Sequence, residues 1–496
     1  MTKSPTNLGV LLDASQQTPF LIDCHGDTPR HWSAADTERM ADAVARGLRE
    51  RGLNVGDRVA IMARNRGEYI AAYFGTMRAG LICVPVNVKL PSETVAYVLA
   101  DADVKFAFVD DSASVLVPEG LATANFDDDT FDALCSPGPF EPSRPSNDVA
   151  MFLYTSGSTG KPKGVPLTHH GHLWVIERRY QANVDYASER MLVAAPLYHM
   201  NALAIVKFAA AAGATVVLLP QFSARSYIEA IPAHRCTWLT SVPTMLALVA
   251  QEQALLAQTD LSSVRSVRMG SAPVTAKLLA QVRDIFPNAT VQIGYGTTEA
   301  GPVGFGPHPD KLKTPDLALG YPDAHVRVRL VDGTDRNASR GVLEIQCPAV
   351  TPGYHNLPEK TAAAMTEDGF YHTGDVMERD DDGFYFFVGR DDDMFVCNGE
   401  NVFPEEVERI LESHSAILQA CVIPIEDDVR GQMPIAFVVR EPGSDLSQDE
   451  VKQHAISHGP AYQHPRHVLF RDALPLAGTN KYDRRILAQW ADEALP

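Results

Sequence analysis

Residues Tyr154 to Gly164, YTSGSTGKPKG, place four aliphatic hydroxyls, three glycines and two lysines directly behind the apolar run VAMFL. A strand that opens into such a loop, with a helix to follow, exposes backbone N–H groups and turns them toward an anion. Gly157 and Gly160 let the backbone approach closely. Thr155, Ser156, Ser158 and Thr159 add hydroxyl donors, while Lys161 and Lys163 supply charge that neutralises a polyphosphate. The spacing is not that of a Walker A loop, which needs glycine where Thr155 stands and serine or threonine where Pro162 stands. The loop reads as a phosphate grip outside the standard NTPase design.

The elements that must position this loop follow from hydrophobic period. From Ser33 to Gly52 the chain has Ser33 as N-cap with Asp36 three residues on, Met40, Val44 and Leu48 on one face, and Gly52 as a stop, so an amphipathic helix is predicted. Strands DRVAIMAR, LICVPVN and VKFAFVD then alternate with helical stretches GEYIAAYFGTMRAG and PSETVAYVLADAD. That alternation is the mark of βαβ units on a parallel sheet. It resumes after residue 150 with strands VAMFLYT, TVVLLP and TWLTSV and helices GHLWVIERRYQANV, ARSYIEAIPAH and AKLLAQVRDIF. Two doubly wound sheets are predicted, with ligand chemistry at the carboxyl ends of their strands. Between about 302 and 388 the pattern changes to short strands and turns, read as a small β-barrel subdomain. Beyond GRDDDM comes a compact α+β pattern, with Val407, Ile410 and Leu411 on one helix face and a Ser447/Glu450 cap on another. The fold class is therefore α/β: a large N-terminal domain, 1–391, that binds the substrates, and a small mobile C-terminal domain, 392–496, with the boundary at Asp392.

Composition narrows the chemistry. At 496 residues the chain exceeds a single core, and its 45% hydrophobic share supports ordinary globular packing. A net charge of -19 disfavours nucleic acid and anionic membrane surfaces, leaving small molecules as the expected partners. Seven scattered cysteines form no CxxC pair, so neither a disulfide framework nor a zinc site is expected. With no apolar core of a signal peptide near the start and no run long enough to span a bilayer, the expected location is the cytoplasm and no integral membrane contact is expected. A monomer or a homodimer fits. The cluster His169, His170 and His172 has no acid or cysteine beside it and is not read as a metal site.

Further motifs follow in order: PLYHMN at 196–201, GSAP at 270–273, GYGTTEAG at 294–301, YHTGD at 371–375, GRDDDMFVCNGENVFPEEVE at 389–408 and GTNKYDRRIL at 478–487. With YTSGSTGKPKGV, this series resembles the adenylate-forming superfamily of acyl-CoA synthetases, aryl-CoA ligases, peptide-synthetase adenylation domains and luciferases. The resemblance covers residues 154 to 487; the first 150 residues carry no comparably sharp motif.

The resemblance implies ATP, Mg²⁺ and coenzyme A, and two half-reactions. A carboxylate attacks the α-phosphate of ATP, and a thiol then displaces AMP from the acyl-adenylate. Such chemistry asks for positioning and for cations where charge develops. By resemblance Glu299 is the Mg²⁺-associated acid, Thr298 touches the α-phosphate, and Asp375 holds the ribose hydroxyls with Arg390 nearby. Gly270, Ser271, Ala272 and Pro273, with Gly294, Tyr295, Gly296 and Thr297, form the adenine shelf. Lys481 matches the catalytic lysine that binds the carboxylate and α-phosphate together. Asp392 aligns with the hinge about which the small domain rotates between half-reactions. Rotation takes Lys481 out of the site and brings Gly399 to a pantetheine tunnel gated by His199. Arg466 resembles a position near the CoA nucleotide.

The acyl pocket is expected at Met200, Asn201, Ile205, Gly270, Gly294, Gly296, Val303 and Gly304. Malonate-type ligases have arginine where Gly294 stands, so the sequence argues against a dicarboxylate; no aspartate in HMNALAI pairs an amine, so it argues against an amino acid. Three glycines leave room for a flat ring, which favours a hydroxycinnamate or benzoate. A medium-chain fatty acid, or a carrier protein in place of CoA, is the alternative.

Overall fold

The computed structural model describes residues 5–155, 161–181, 184–302, 304–427, 431–476 and 482–494. Its elements grow from the local signals. The predicted first helix is Ala34–Glu50, closed at its start by a capping box: Ser33 Oγ accepts from Asp36 N–H and Asp36 Oδ2 accepts from Ser33 N–H, each at 3.0 Å. Its buried stripe, including Ala41, Val44 and Leu48, packs on the helix Gly67–Arg78, which is buried on every side and so carries no polar face.

Two α/β sheets form the large domain. One runs Ala122–Asn125, Val104–Val109, Arg58–Met62, Ile82–Pro85, Val149–Thr155 and Lys163–Thr168, parallel except for the last pair. The other runs Thr290–Gly294, Ser266–Gly270, Trp238–Ser241, Arg190–Val193, Thr215–Leu218, Pro19–Asp23 and Arg30–Ser33, again with an antiparallel last pair. The N-terminal hairpin therefore belongs to the second sheet, a pairing across about two hundred residues that no local signal announces.

One expectation is corrected here. The loop behind Val149–Thr155 is not followed by a helix; it leads into the antiparallel strand Lys163–Thr168, and the helix His169–Arg179 begins only after that. No helix N-terminus therefore stands directly behind this loop. Ser156, Gly157, Ser158, Thr159 and Gly160 lie outside the described residues, as do Val303 and Lys481.

The short strands after 302 form a six-stranded antiparallel sheet that begins at Phe305–Gly306 and ends at Arg327–Val331 in hydrogen-bonding order. The small C-terminal domain has the long hairpin Ile417–Asp427 and Gly431–Arg440 at its centre, His467–Phe470 and Phe395–Cys397 paired to the latter strand, and the helices Pro404–Glu412, Gln448–His458 and Arg484–Ala494. It touches the large domain through Lys277, whose ammonium donates to Ile417 O at 2.7 Å and pairs with Glu441, and through Arg340 and Glu406 at 2.9 Å. No helix among the described residues is long and apolar enough to cross a membrane.

Arg78 is the largest fully buried side chain, at the end of Gly67–Arg78. Its guanidinium donates to Gly9 O at 2.6 and 2.9 Å and pairs with Glu38 and Asp42, each at 2.5 Å, clamping the N-terminal segment to both helices. Removing it leaves two acids facing one another without a cation. Arg78→Met should cost about 3 kcal/mol, the usual scale for breaking a buried pair on one side, read as a lower urea midpoint; an unchanged midpoint would mean that this clamp contributes nothing net.

Candidate active site

The carboxyl ends of the second sheet open on a cavity of about 1760 Å³ whose far wall is the small domain. On one side, Thr155 and Lys163 of the hairpin line the cavity, and Thr155 Oγ1 is buried with no partner among the described residues. The Lys163 ammonium lies 4.3 Å over the Tyr354 ring, and Tyr354 O–H donates to Glu299 Oε1 at 3.0 Å. Burial holds Lys163 below the usual lysine range, with Glu299 opposing the shift. Lys161 instead sits over Tyr97, at 5.3 Å, away from the cavity wall.

Asp375 and Arg390 face one another across the antiparallel strands Tyr371–Arg379 and Tyr385–Arg390. Arg390 Nη1 donates to Asp375 Oδ1 at 2.8 Å, while its Nε and Nη2 donate to Asp392 at 2.8 and 3.2 Å. One guanidinium therefore bridges the buried acid and the domain boundary. Burial would lower the Arg390 pKa, but the Asp392 and Asp375 carboxylates outweigh it and raise it. Tyr295 O–H donates to Asp375 Oδ2 at 2.5 Å, so this tyrosine is anchored to the acid as well as placed on the wall. Ser271, just past the strand Ser266–Gly270, holds a left-handed φ of 70°, a strained turn of the kind found at ligand clamps. Ser271, Ala272, Pro273, Thr297, Thr298 and Glu299 all line the cavity.

At the acyl side, His199 caps the helix Met200–Ala212 and its ring meets Tyr198 edge-on at 4.7 Å. His199, Met200, Asn201 and Ile205 line the cavity, and Asn201 Oδ1 accepts from Thr240 Oγ1 at 3.1 Å. Gly270, Gly294 and Gly296 line it too, but for a different reason from the open space expected of them. A Cβ on Gly270 would sit 2.7 Å from Gly294 O, and one on Gly296 2.5 Å from Pro302 Cα. At Gly294 the guanidinium of Arg268 fills the room, with Cζ 3.1 Å from the position a Cβ would take. These glycines permit close packing; they do not hollow out a ring-shaped slot.

The structure leaves some expected residues elsewhere. Gly304 packs behind Tyr295, off the wall. Gly399 lies in the turn between Phe395–Cys397 and Glu400–Val402, exposed and with nothing within 4 Å of a Cβ position. Arg466 is half-buried beside His464, also away from the cavity. Two groups of residues on the wall were given no role from sequence, although part of the second lies within the 389–408 and 478–487 motifs. One is the pair Arg179 and Arg268. The other is the acidic face of Pro404–Glu412: Arg484 donates to Glu405 at 3.2 Å and to Glu408 at 3.1 Å, while Glu412 accepts from Ala420 N–H at 2.9 Å. Only the i, i+3, i+4 spacing of these glutamates hinted at a shared face.

A large α/β domain whose strand ends carry the Lys163 hairpin, the Asp375–Arg390 pair and a turn in left-handed conformation, closed over by a small α+β domain, defines an adenylate-forming enzyme. The chain belongs to the AMP-binding enzyme family, whose pattern matches residues 12–355, with the AMP-binding enzyme C-terminal domain matching 406–481. It is 34% identical to feruloyl-CoA synthase of Amycolatopsis sp over 92% of this chain and 93% of that protein. It is 31% identical to 4-coumarate–CoA ligase 1 of Petroselinum crispum, over 95% of this chain and 91% of that one. Among solved structures, ATP-bound MatB from Rhodopseudomonas palustris superposes with a TM-score of 0.86 at 26% identity, covering 98% of this chain and 99% of that one, and its apo form with 0.77.

Burial pushes the Glu412 carboxyl up to about 8, with Glu408 adding to the shift and the Ala420, Lys277 and Thr275 contacts opposing it. Because the folded state holds a proton that the unfolded state releases, this group's contribution to stability is full below about 4.5 and is lost as pH rises to about 8. Glu412→Gln should flatten the fall in the small domain's unfolding midpoint over that window; an unaltered slope would assign the pH dependence to other groups.

Proposed function

We propose that this AMP-forming acid–thiol ligase activates an aromatic acid of the hydroxycinnamate or benzoate type with ATP and passes the acyl group to the thiol of coenzyme A. The observation that carries the reading is a single cavity joining Lys163, Glu299 and the Asp375–Arg390 pair to the side lined by Met200, Asn201 and Ile205. The 4-coumarate and feruloyl relatives, aligned over more than nine-tenths of this chain, support the choice of acid and acceptor.

In the first half-reaction a carboxylate oxygen attacks the α-phosphorus and pyrophosphate leaves. The hairpin from Thr155 to Lys163 grips the β- and γ-phosphates, and Thr298 reaches the α-phosphate. Asp375, oriented by Tyr295 and Arg390, receives the ribose hydroxyls. Glu299 fits a magnesium ion: it is buried, Tyr354 occupies one of its oxygens, and the other accepts no bond among the described residues. Such an ion, held by one carboxylate and the substrate's phosphates, supplies neutralisation of the phosphate charge. Lys481 completes the site by pairing with the acid and the α-phosphate. Its neighbour Tyr482 lines the cavity, and the superposition on the ATP-bound relative is better than on the apo form, which supports a nucleotide-accepting arrangement of the domains.

In the second half-reaction the thiol sulfur attacks the acyl carbon, AMP leaves with the phosphate oxygen, and the thiol proton passes to solvent. The acyl-adenylate is already activated, so a thiolate needs positioning more than a general base. We place the hinge at Asp392. Rotation there withdraws Lys481 and turns the Gly399 segment toward His199, which explains why Gly399 and Arg466 stand off the cavity in this arrangement.

Lys481→Ala should reduce pyrophosphate release by about a hundredfold or more, the scale for removing one preorganised charge, yet still convert supplied acyl-adenylate to thioester. Equal loss in both assays would overturn the two-arrangement reading. Across a carboxylate panel with and without CoA, hydroxycinnamates or benzoates should give CoA-dependent AMP. A response confined to straight-chain acids would overturn the aromatic assignment, and AMP release that needs a carrier protein would replace CoA as acceptor.

A further inference from the structure

The wall of the cavity carries seven guanidiniums. Five of them, Arg390, Arg409, Arg440, Arg484 and Arg485, each donate to an acid or a backbone carbonyl. The remaining two, Arg268 and Arg179, bond to nothing among the described residues, and Arg179 Nε is buried without a partner. Both side chains are half-buried on the cavity wall, and two cations there with no counter-charge among the described residues favour an anion brought by the ligand.

Their position says which part of a ligand would bring that anion. Arg268 lies three residues before Ser271 on the strand Ser266–Gly270, hence about 10 Å deeper in the sheet than the turn on which the nucleotide end is built. Register sets it beside Thr240, whose hydroxyl holds Asn201, and its guanidinium occupies the room left by Gly294. Arg179 ends the helix His169–Arg179. Behind the acyl side, Lys207 of Met200–Ala212 is buried with its ammonium 3.1 Å from His172 Nδ1, while His172 Nε2 is buried and unpartnered. Burial presses Lys207 down to about 7, with the Arg179 charge adding to it, and Arg179 is lowered by burial and then by Arg268. Four basic groups from three elements thus converge on the inner end of the acyl side with no carboxylate bonded to any of them among the described residues. Arginine keeps its charge in such surroundings, so this end is built for negative charge.

We propose that the acid activated by this enzyme carries a second anionic group at its far end, a distal carboxylate received by Arg268 and Arg179. The inference rests on the acid–thiol ligase reading and narrows its substrate class from aromatic acids to those with an anionic tail. It also revises what Gly294 alone implied, because the cation comes from the neighbouring strand instead of from position 294.

The test is a set of matched acids that differ only at the distal end: 4-carboxycinnamate against 4-methylcinnamate, terephthalate against 4-methylbenzoate, and adipate against hexanoate, scored by kcat/KM for pyrophosphate release. The anionic member should be preferred, and Arg268→Met or Arg179→Met should cut that preference about thirtyfold or more, the scale for stranding one side of a desolvated charge pair. The preference ratio is the readout because a merely structural lesion lowers both members of a pair together. Equal or better turnover of the methyl acids by the wild-type enzyme, or a ratio that neither variant moves, overturns the proposal. Preference for the neutral aromatic acids would leave the aromatic reading standing and remove the distal site. Preference for adipate with no aromatic turnover would keep the distal site and remove the aromatic reading, and no turnover of any acid would remove both. If Arg268→Met does not fold, the Arg179→Met ratio and the wild-type preference decide.

Discussion

The site depends on one guanidinium shared between two acids. Arg390 holds Asp375 through one nitrogen and Asp392 through two others, so the buried acid on the cavity wall and Asp392 are fixed by the same side chain. Each carboxylate offsets part of the burial cost of the cation between them. The consequence is mechanical as well as electrostatic: a change in backbone angles around Asp392 must disturb the group that orients Asp375, and a ligand that engages Asp375 must bias the geometry at Asp392. Tyr295 extends the chain of bonds to the strand end of the second sheet, so two sheets and Asp392 meet in one hydrogen-bonded unit.

The rest of the cavity is organised by how charge is compensated around that unit. Toward the small domain, acids predominate and Arg484 offsets Glu405 and Glu408, while Glu412 sits buried enough to hold its proton near neutrality. Toward the inner end, cations predominate and nothing among the described residues offsets Arg268 or Arg179. A cavity with an acidic outer face and a basic inner end favours an anionic group at the inner end. The close-packed glycines contribute by bringing strands and turn near enough that Arg268 passes over Gly294 into the cavity.

Much of the architecture was legible because its signals are local. The capping boxes at Ser33 and Ser447, the apolar runs of the parallel strands and the boundary between mixed and antiparallel patterns all lie within stretches of ten to twenty residues. The hairpin that carries the phosphate loop was misjudged because Lys163–Thr168 is an edge strand with a proline and little alternation, which reads equally as loop. The glycines were misjudged for a related reason. Sequence shows the absence of a side chain but not what occupies the space, and here the occupants are Gly294 O, Pro302 and Arg268.

By itself the sequence determined the order of motifs, the types of side chain available to grip phosphate, ribose and carboxylate, and the succession of strands and helices, because caps, periodicity and turn chemistry act over one or two turns of chain. Tertiary structure alone decided which of these meet. Strand register set Asp375 opposite Arg390 and Thr240 beside Arg268, and the packing of His169–Arg179 and Met200–Ala212 against that sheet brought Arg179 and Lys207 to the same end of the cavity. Register and helix packing are fixed by which apolar faces can be buried together across dozens to hundreds of residues, and that sum over the whole core is written in no single stretch of it.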